Sequence, residues 1–245
     1  MRLDKYLVAA FSLRSRTYAE NLIKRGAVKV GDCVEKRPAF DVDECDPPEI
    51  EILSDEDFAS LGAYKLQKAF DDFSLDVCGA DCADIGCSNG GFTDLLLRKG
   101  ARSVLAVDVG ECALDKRILD SGKVEFMRAN ARDLPPIPEK DFVCADVSFI
   151  SVTLILDSVR RILRENGKAV LLVKPQFELG RAALDKRGIV KNERLSRSAL
   201  DLVSAAAVRS GFAVTGSTEI PRLFEDKNVE YLLLLTPVKN TSSIA

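Results

Sequence analysis

Four ionisable side chains stand where a folded chain must justify them. Lys174 closes the run AVLLVK, and a lysine emerging from an all-apolar strand is costly without a partner or a task. Asp146 closes FVCAD, Glu230 opens EYLLLL, and Lys65 lies earlier, in GAYKLQKAF. Upstream, ADIGCSNGGF (83–92) sets Asp84 and then Gly86, Gly90 and Gly91 where an apolar strand should turn into the helix TDLLLRKG. A dinucleotide site would want G-x-G-x-x-G here to seat a pyrophosphate, and Asp84 would repel that group. A cationic methionine moiety is attracted by the acid instead, and the open amides of the helix start can hold its carboxylate. D-x-G-x-x-x-G-G is accordingly the pattern of S-adenosylmethionine enzymes. Asp108, at the end of SVLAVD, is placed to accept hydrogen bonds from ribose hydroxyls, which signals an adenosine without choosing between the two cofactors.

These residues need a sheet edge to meet on. From Asp81 onward short apolar runs alternate with helical patterns: CADIG, SVLAVDV, FVCADV and KAVLLVK as strands, with helices at GFTDLLLRKG, TLILDSVRRILREN and RLSRSALDLVSAAAVRSG. FAVTGSTEI and EYLLLLTP complete the strands. Such alternation predicts a doubly wound, Rossmann-like α/β sheet whose site lies at the strands' carboxyl ends. If the last strand runs antiparallel, its start, Glu230, falls at that same edge.

Composition narrows the chemistry. The 245-residue chain has no histidine, which removes Ser-His and Cys-His nucleophiles and imidazole metal sites. Its seven cysteines are scattered without a C-x-x-C pair, so neither a disulfide framework nor a cysteine zinc site is expected, and a reducing cytoplasm fits best. No apolar run approaches the roughly 18 residues of a membrane span, and MRLDKYLVAAFSLRSR lacks a small-residue cleavage site. Net charge is −3, but it is unevenly spread: residues 1–37 carry nine Lys or Arg against four Asp or Glu, and residues 38–58 carry nine acids and no base. A basic front and an acidic sequel suggest that the first part meets a polyanion, although a solvated charged surface is the commoner meaning of such runs.

In that front part, Leu3, Tyr6, Leu7 and Phe11 share one helical face. Ser15 can cap a second helix with Tyr18, Ala19, Leu22 and Ile23 inside, Gly26 ends it, and two short strands flank Gly31-Asp32. The pattern R-L-D-x-x-L, S-R-x-x-A-x-x-L-I, G-x-V-x-V-G resembles the S4-type RNA-binding module, a small α+β fold. The resemblance implies phosphate contacts from Arg2, Arg14, Arg16, Lys24 and Arg25. The domains expected are 1–53 (RNA-binding), 54–80 (linker and lead-in helix) and 81–240 (cofactor-binding).

The second part resembles the FtsJ-like ribose 2′-O-methyltransferases and, through GAYKL, DIGCSNGGFTD, AVDVG, NARDL, DVSFIS, LVKPQFELGR, KRGIVKN and NVEYLLLL in order, the TlyA family of rRNA cytidine-2′-O-methyltransferases, some of them called haemolysins. Three stretches depart from the family's usual pattern: Ser60-Leu61-Gly62-Ala63, Cys87-Ser88-Asn89 and RLFEDKN. The resemblance implies a Lys65, Asp146, Lys174, Glu230 catalytic tetrad with Lys174 as base, the two acids orienting the two lysines, and no metal. It implies S-adenosyl-L-methionine held by Asp84, Gly86, Cys87, Ser88, Asn89, Gly90, Gly91, Phe92, Asp108, Val109 and Asn130. Ribosomal RNA or ribosomal subunits are the expected partners and no membrane is. The basic loop GRAALDKRGIVKNERLSR offers Arg181, Lys186, Arg187 and Lys191 to an RNA backbone, its alternative being a solvated helix-entry loop. A base N-methyltransferase is the alternative activity, but DVSF lacks the Pro-Pro of those enzymes, and no Pro-Cys exists for carbon-five pyrimidine chemistry. A purely RNA-binding protein would have no use for Lys174 beside Asp146, and a lytic one would need an amphipathic insertion segment beyond the two short front helices.

Overall fold

The structure, a computed structural model, describes residues 1–13, 15–53, 58–220 and 227–238. Arg14 and most of RLFEDKN therefore lie outside the described residues. The chain divides into two compact units, Met1–Asp57 and Phe58–Ala245.

In the smaller unit, α1 (Leu3–Phe11) and α2 (Arg16–Lys24) pack together over a sheet of β1 (Val28–Val30), β2 (Cys33–Val34) and β3 (Ile50–Ile52), ordered β2-β1-β3. Ser15 caps α2 as the sequence predicts, its hydroxyl accepting from Tyr18 N at 3.1 Å and satisfying a helix-end donor. Leu3, Leu7, Ala19, Leu22, Ile23 and Val28 form the core.

The larger unit contains α3 (Gly62–Phe73), β4 (Asp81–Ile85), α4 (Gly91–Arg98), β5 (Ser103–Asp108), α5 (Lys116–Leu119), β6 (Val124–Arg128), β7 (Lys140–Ala145), α6 (Leu156–Ile162), β8 (Leu163–Val173), α7 (Pro175–Glu178), α8 (Glu193–Arg209), β9 (Phe212–Ile220) and β10 (Glu230–Pro237). The sheet order is β6-β5-β4-β7-β8-β10-β9. The first five strands run parallel, and β10 is antiparallel to both neighbours. Both faces are covered. Ala83, Ile85, Val143 and Leu171 pack against α6 and α8 on one side, and Cys82, Phe142, Val170 and Leu172 against α3 and α4 on the other.

Two stretches differ from expectation. The helix expected over TLILDSVRRILREN ends at Ile162, and Leu163 already pairs with Lys140 in β8. The register then shifts, Phe142 facing Lys168, and Gly167 sits in that irregular stretch, where a Cβ would stand 3.0 Å from both the Arg164 and Asp141 carbonyl oxygens. The other is β6, an edge strand with no clean apolar alternation, which the sequence pattern does not announce. Helix α3, expected as a lead-in, buries Ala63, Leu66, Ala69 and Phe70 in the core of the larger unit.

Candidate active site and cofactor cradle

The glycine loop begins where β4 ends, and its main contacts are with the chain itself. Gly86 has φ +82°, and a Cβ there would lie 2.5 Å from the Asp146 carbonyl oxygen. At Gly90 (φ +89°) it would meet Ile118 at 2.5 Å, and at Gly91 it would meet Ser60 Oγ at 2.1 Å. Glycine is thus favoured at three positions before any ligand is considered: by backbone packing at Gly86 and Gly91, where the Ala63 amide also lies 3.0 Å away, and by the left-handed φ at Gly90. The amides of Gly86 and Cys87 close on Val107 O at 2.8 and 3.1 Å, fixing the loop to the end of β5.

Asp84 points to the α4 face of β4 and is fully buried. Thr93 Oγ1 donates to its Oδ2 at 2.6 Å, anchoring the first turn of α4. Burial pushes its carboxyl up to about 7, against the hydrogen bond from Thr93, which favours the charged form. The acid read as a partner for a cationic ligand is therefore screened from solvent by its own loop. Cys87 packs with Ala106, Leu114 and Ile118, and burial raises its thiol. The Phe92 ring is in the core beside Phe58 and Leu66, leaving only its backbone for a ligand. Ser88 and Asn89 are exposed at the loop's crest.

Asp108 ends β5 with each oxygen holding one amide: Ser88 N on Oδ2 and Gly110 N on Oδ1, both at 3.0 Å. A carboxylate oxygen has more than one acceptor site, so both retain capacity for hydroxyl donors. Val109 is exposed, and its carbonyl accepts from Arg128 Nε at 3.1 Å. Asn130 is exposed, with Oδ1 accepting from Arg132 N at 3.0 Å.

The four ionisable residues meet in two pairs. Lys174 Nζ lies 2.6 Å from Asp146 Oδ1 and donates to Ser148 Oγ at 2.7 Å. The contact with Asp146 is electrostatic, outside hydrogen-bonding angles, since that Oδ1 accepts no hydrogen bond. Lys65 Nζ lies 2.5 Å from Glu230 Oε2. Strand order explains the convergence: Asp146 follows β7, Lys174 follows β8, and Tyr231 on antiparallel β10 pairs with Val173, which sets Glu230 at the same edge. Lys174 is buried, whereas the other three are partly exposed.

Several residues escaped the sequence reading. Phe149, in the loop after Asp146, is 89% exposed, adopts φ +68°, and lies 5.5 Å between centroids from Phe177. A left-handed bulky residue costs about 1–3 kcal/mol, and such strain concentrates at functional sites. Glu178 ties that loop to the Lys174 segment, accepting from Val152 N at 2.8 Å and from the Ser151 hydroxyl. Burial raises its carboxyl against those two bonds. The signal available in sequence was an aromatic residue three positions beyond a strand-ending acid, which composition does not single out.

Of the basic residues, Arg2 and Arg16 both bind Asp4, Lys24 Nζ lies 3.2 Å from Glu20, and Arg25 caps α2. In the other unit, Arg181 opens a 3-10 turn, Lys186 is exposed, and Arg187 lies 3.4 Å from Asp185. Lys191 Nζ donates to Ala182 O at 2.8 Å.

A seven-stranded sheet with a single antiparallel strand, a glycine turn after β4 and an acid ending β5 defines a methyltransferase-type α/β domain. The chain belongs to the FtsJ-like methyltransferase family, whose profile matches residues 58–236, and an S4 domain profile matches residues 1–47. It is 34% identical over 238 residues to the 16S/23S rRNA (cytidine-2′-O)-methyltransferase TlyA of Mycobacterium tuberculosis, covering 96% of this chain and 89% of the relative. It is 33% identical to Hemolysin A of Brachyspira hyodysenteriae over 95% of this chain and 98% of that protein. A solved structure of a hemolysin-designated protein from Streptococcus thermophilus superposes with a TM-score of 0.73 at 33% identity, over 99% of this chain and 92% of that one. Among the described residues no helix is long and apolar enough to cross a membrane.

Proposed function

We propose that this protein transfers the methyl group of S-adenosylmethionine to a ribose 2′-hydroxyl of ribosomal RNA, with cytidine as the nucleotide. The observation that carries the reading is the two lysine–carboxylate pairs at the carboxyl edge, one of them built on a buried lysine. The Mycobacterium tuberculosis relative supports the acceptor, because it is named for rRNA cytidine-2′-O-methylation.

The residues at the glycine loop suit the cofactor. Asp108 would take the ribose hydroxyls on its remaining lone pairs, with Val109 and Asn130 beside it. The exposed loop crest at Ser88 and Asn89 would face the methionine end, and Asp84 would stabilise its positive charge through the loop. When bound, the cofactor supplies an electrophilic methyl carbon.

The chain's own work is to place the acceptor and receive its proton at Lys174 Nζ. Asp146 and Ser148 fix that nitrogen, which takes the proton in its amine form and becomes an ammonium facing the Asp146 carboxylate, and the Lys65–Glu230 pair flanks it. Phe149 offers an exposed ring on which a base withdrawn from its stack can rest. Residues 1–53 would dock the RNA backbone through Arg2, Arg14, Arg16, Lys24 and Arg25, and Arg181, Lys186 and Arg187 would meet it near the reacting nucleotide.

The test is transfer of labelled methyl from S-adenosylmethionine to separated ribosomal subunits and to naked rRNA, with the modified nucleotide mapped. Label in RNA at a cytidine is expected. Failure to label any rRNA substrate would overturn the reading.

A further inference from the structure

The smaller unit contains a carboxylate that this function leaves without a role. Asp4, in the first turn of α1, is completely buried. Its Oδ1 accepts from Arg2 Nε at 3.1 Å and Lys5 N at 2.8 Å, and its Oδ2 from Arg2 Nη2 at 2.8 Å and Arg16 Nε at 2.9 Å. These guanidinium groups hold the carboxyl well below the usual range. Two arginines from separate helix starts thus converge on one acid, while their side chains stay 42% and 49% exposed. Glu20 is the other nearby acid, 3.6 Å from Arg16 Nε and 3.2 Å from Lys24 Nζ. Among the described residues three cations, Arg2, Arg16 and Lys24, thus share Asp4 and Glu20, and this group carries a net positive charge.

We propose that Asp4 is a positioning residue for RNA binding, fixing Arg2 and Arg16 side by side so that their exposed edges meet phosphates of one RNA strand. The inference rests on the RNA-binding role proposed above. Its physical basis is pre-organisation: a guanidinium held along one edge by a buried acid has less rotamer freedom to lose when its remaining donors bind phosphate. Removing an acid from a basic surface ought by charge alone to tighten polyanion binding. Positioning predicts the opposite sign, so the two explanations separate cleanly.

The experiment measures affinity of the full chain for naked ribosomal RNA across a salt series. It compares wild type, Asp4→Asn, Arg2→Ala/Arg16→Ala, Arg2→Lys/Arg16→Lys and the triple variant, with circular dichroism checking the fold. Asp4→Asn should bind about tenfold more weakly, with its log–log salt slope shallower by about one to two units. In the Arg2→Ala/Arg16→Ala background it should have no further effect. The double lysine variant, which keeps charge but not the fork, should weaken binding even if Asp4→Asn does not fold. Equal or tighter binding by folded Asp4→Asn would overturn the inference, as would wild-type binding by the double lysine variant or an equal loss in the arginine-free background. If wild type binds no RNA at any salt, the RNA reading itself falls, which is a separate result from wild type binding and Asp4→Asn matching it.

Discussion

Replacing Gly86 by alanine tests whether the glycine loop and the sheet edge that carries the lysine–carboxylate pairs are one mechanical unit. The added Cβ would stand 2.5 Å from Asp146 O, with the carbonyl carbon at 2.9 Å and Val147 N at 3.3 Å. All three are backbone atoms, so no side chain can swing aside. Ordinary contact begins at 3.4 Å, so the Asp146 peptide must retreat by about 0.9 Å. The left-handed φ of +82° adds about 1–2 kcal/mol for any residue with a Cβ, and overpacking adds about 1–3 kcal/mol. The expected loss of stability is therefore about 2–5 kcal/mol. Because the displaced residue is the one 2.6 Å from Lys174 Nζ, turnover should also fall, by roughly 10- to 100-fold for a shift near 1 Å. Urea unfolding gives the first quantity. Single-turnover methyl transfer to ribosomal RNA at a temperature where the variant is folded gives the second. Gly122→Ala is the control: its φ of +67° carries the same backbone penalty, but nothing lies within 4 Å of the new Cβ. If Gly86→Ala loses no more stability than Gly122→Ala and keeps full turnover, the coupling argued here is wrong.

Other outcomes follow from the same geometry. Asp108→Ala should weaken S-adenosylmethionine binding by about 1–3 kcal/mol in calorimetry without unfolding the domain, because the ribose acceptors go and two backbone amides lose their partner. Phe149→Ala should leave cofactor affinity unchanged and lower kcat/KM for RNA by roughly 5- to 150-fold, matching one base–aromatic stack of about 1–3 kcal/mol; unchanged RNA kinetics would remove the ring from substrate binding. Arg181→Ala/Lys186→Ala should raise the apparent Kd for RNA and reduce its salt slope by about two units, whereas an unchanged slope would mark the loop as merely solvated.

What was legible in the sequence was whatever rests on local patterns. Ser15 announces its cap by chemistry, and the antiparallel course considered for the last strand brings Glu230 to the edge where Lys174 emerges. What was not legible depends on distant parts of the chain. The glycines of the loop read as room for a ligand, yet Asp146, Ile118 and Ser60 are what crowd them. Asp84 reads as an open binding group, but Thr93 and the loop bury it. LREN carries good helix formers, and only the pairing of Leu163 with Lys140 on a distant strand shows it to be part of β8. Phe149 is an ordinary letter until its backbone is seen in a left-handed conformation with the ring in solvent.

The central claim is that the two lysine–carboxylate pairs serve methyl transfer to a ribose oxygen, with Lys174 Nζ receiving the proton. The most direct measurement is mass spectrometry of nucleosides from ribosomal RNA treated with S-adenosylmethionine and either wild type or Lys174→Ala, with cofactor affinity of both checked by calorimetry. Wild type should yield 2′-O-methylcytidine, with its added mass on the ribose fragment. Lys174→Ala should yield none above background while still binding cofactor at close to wild-type affinity. Methyl on the base fragment, or substantial ribose methylation by Lys174→Ala, would contradict it.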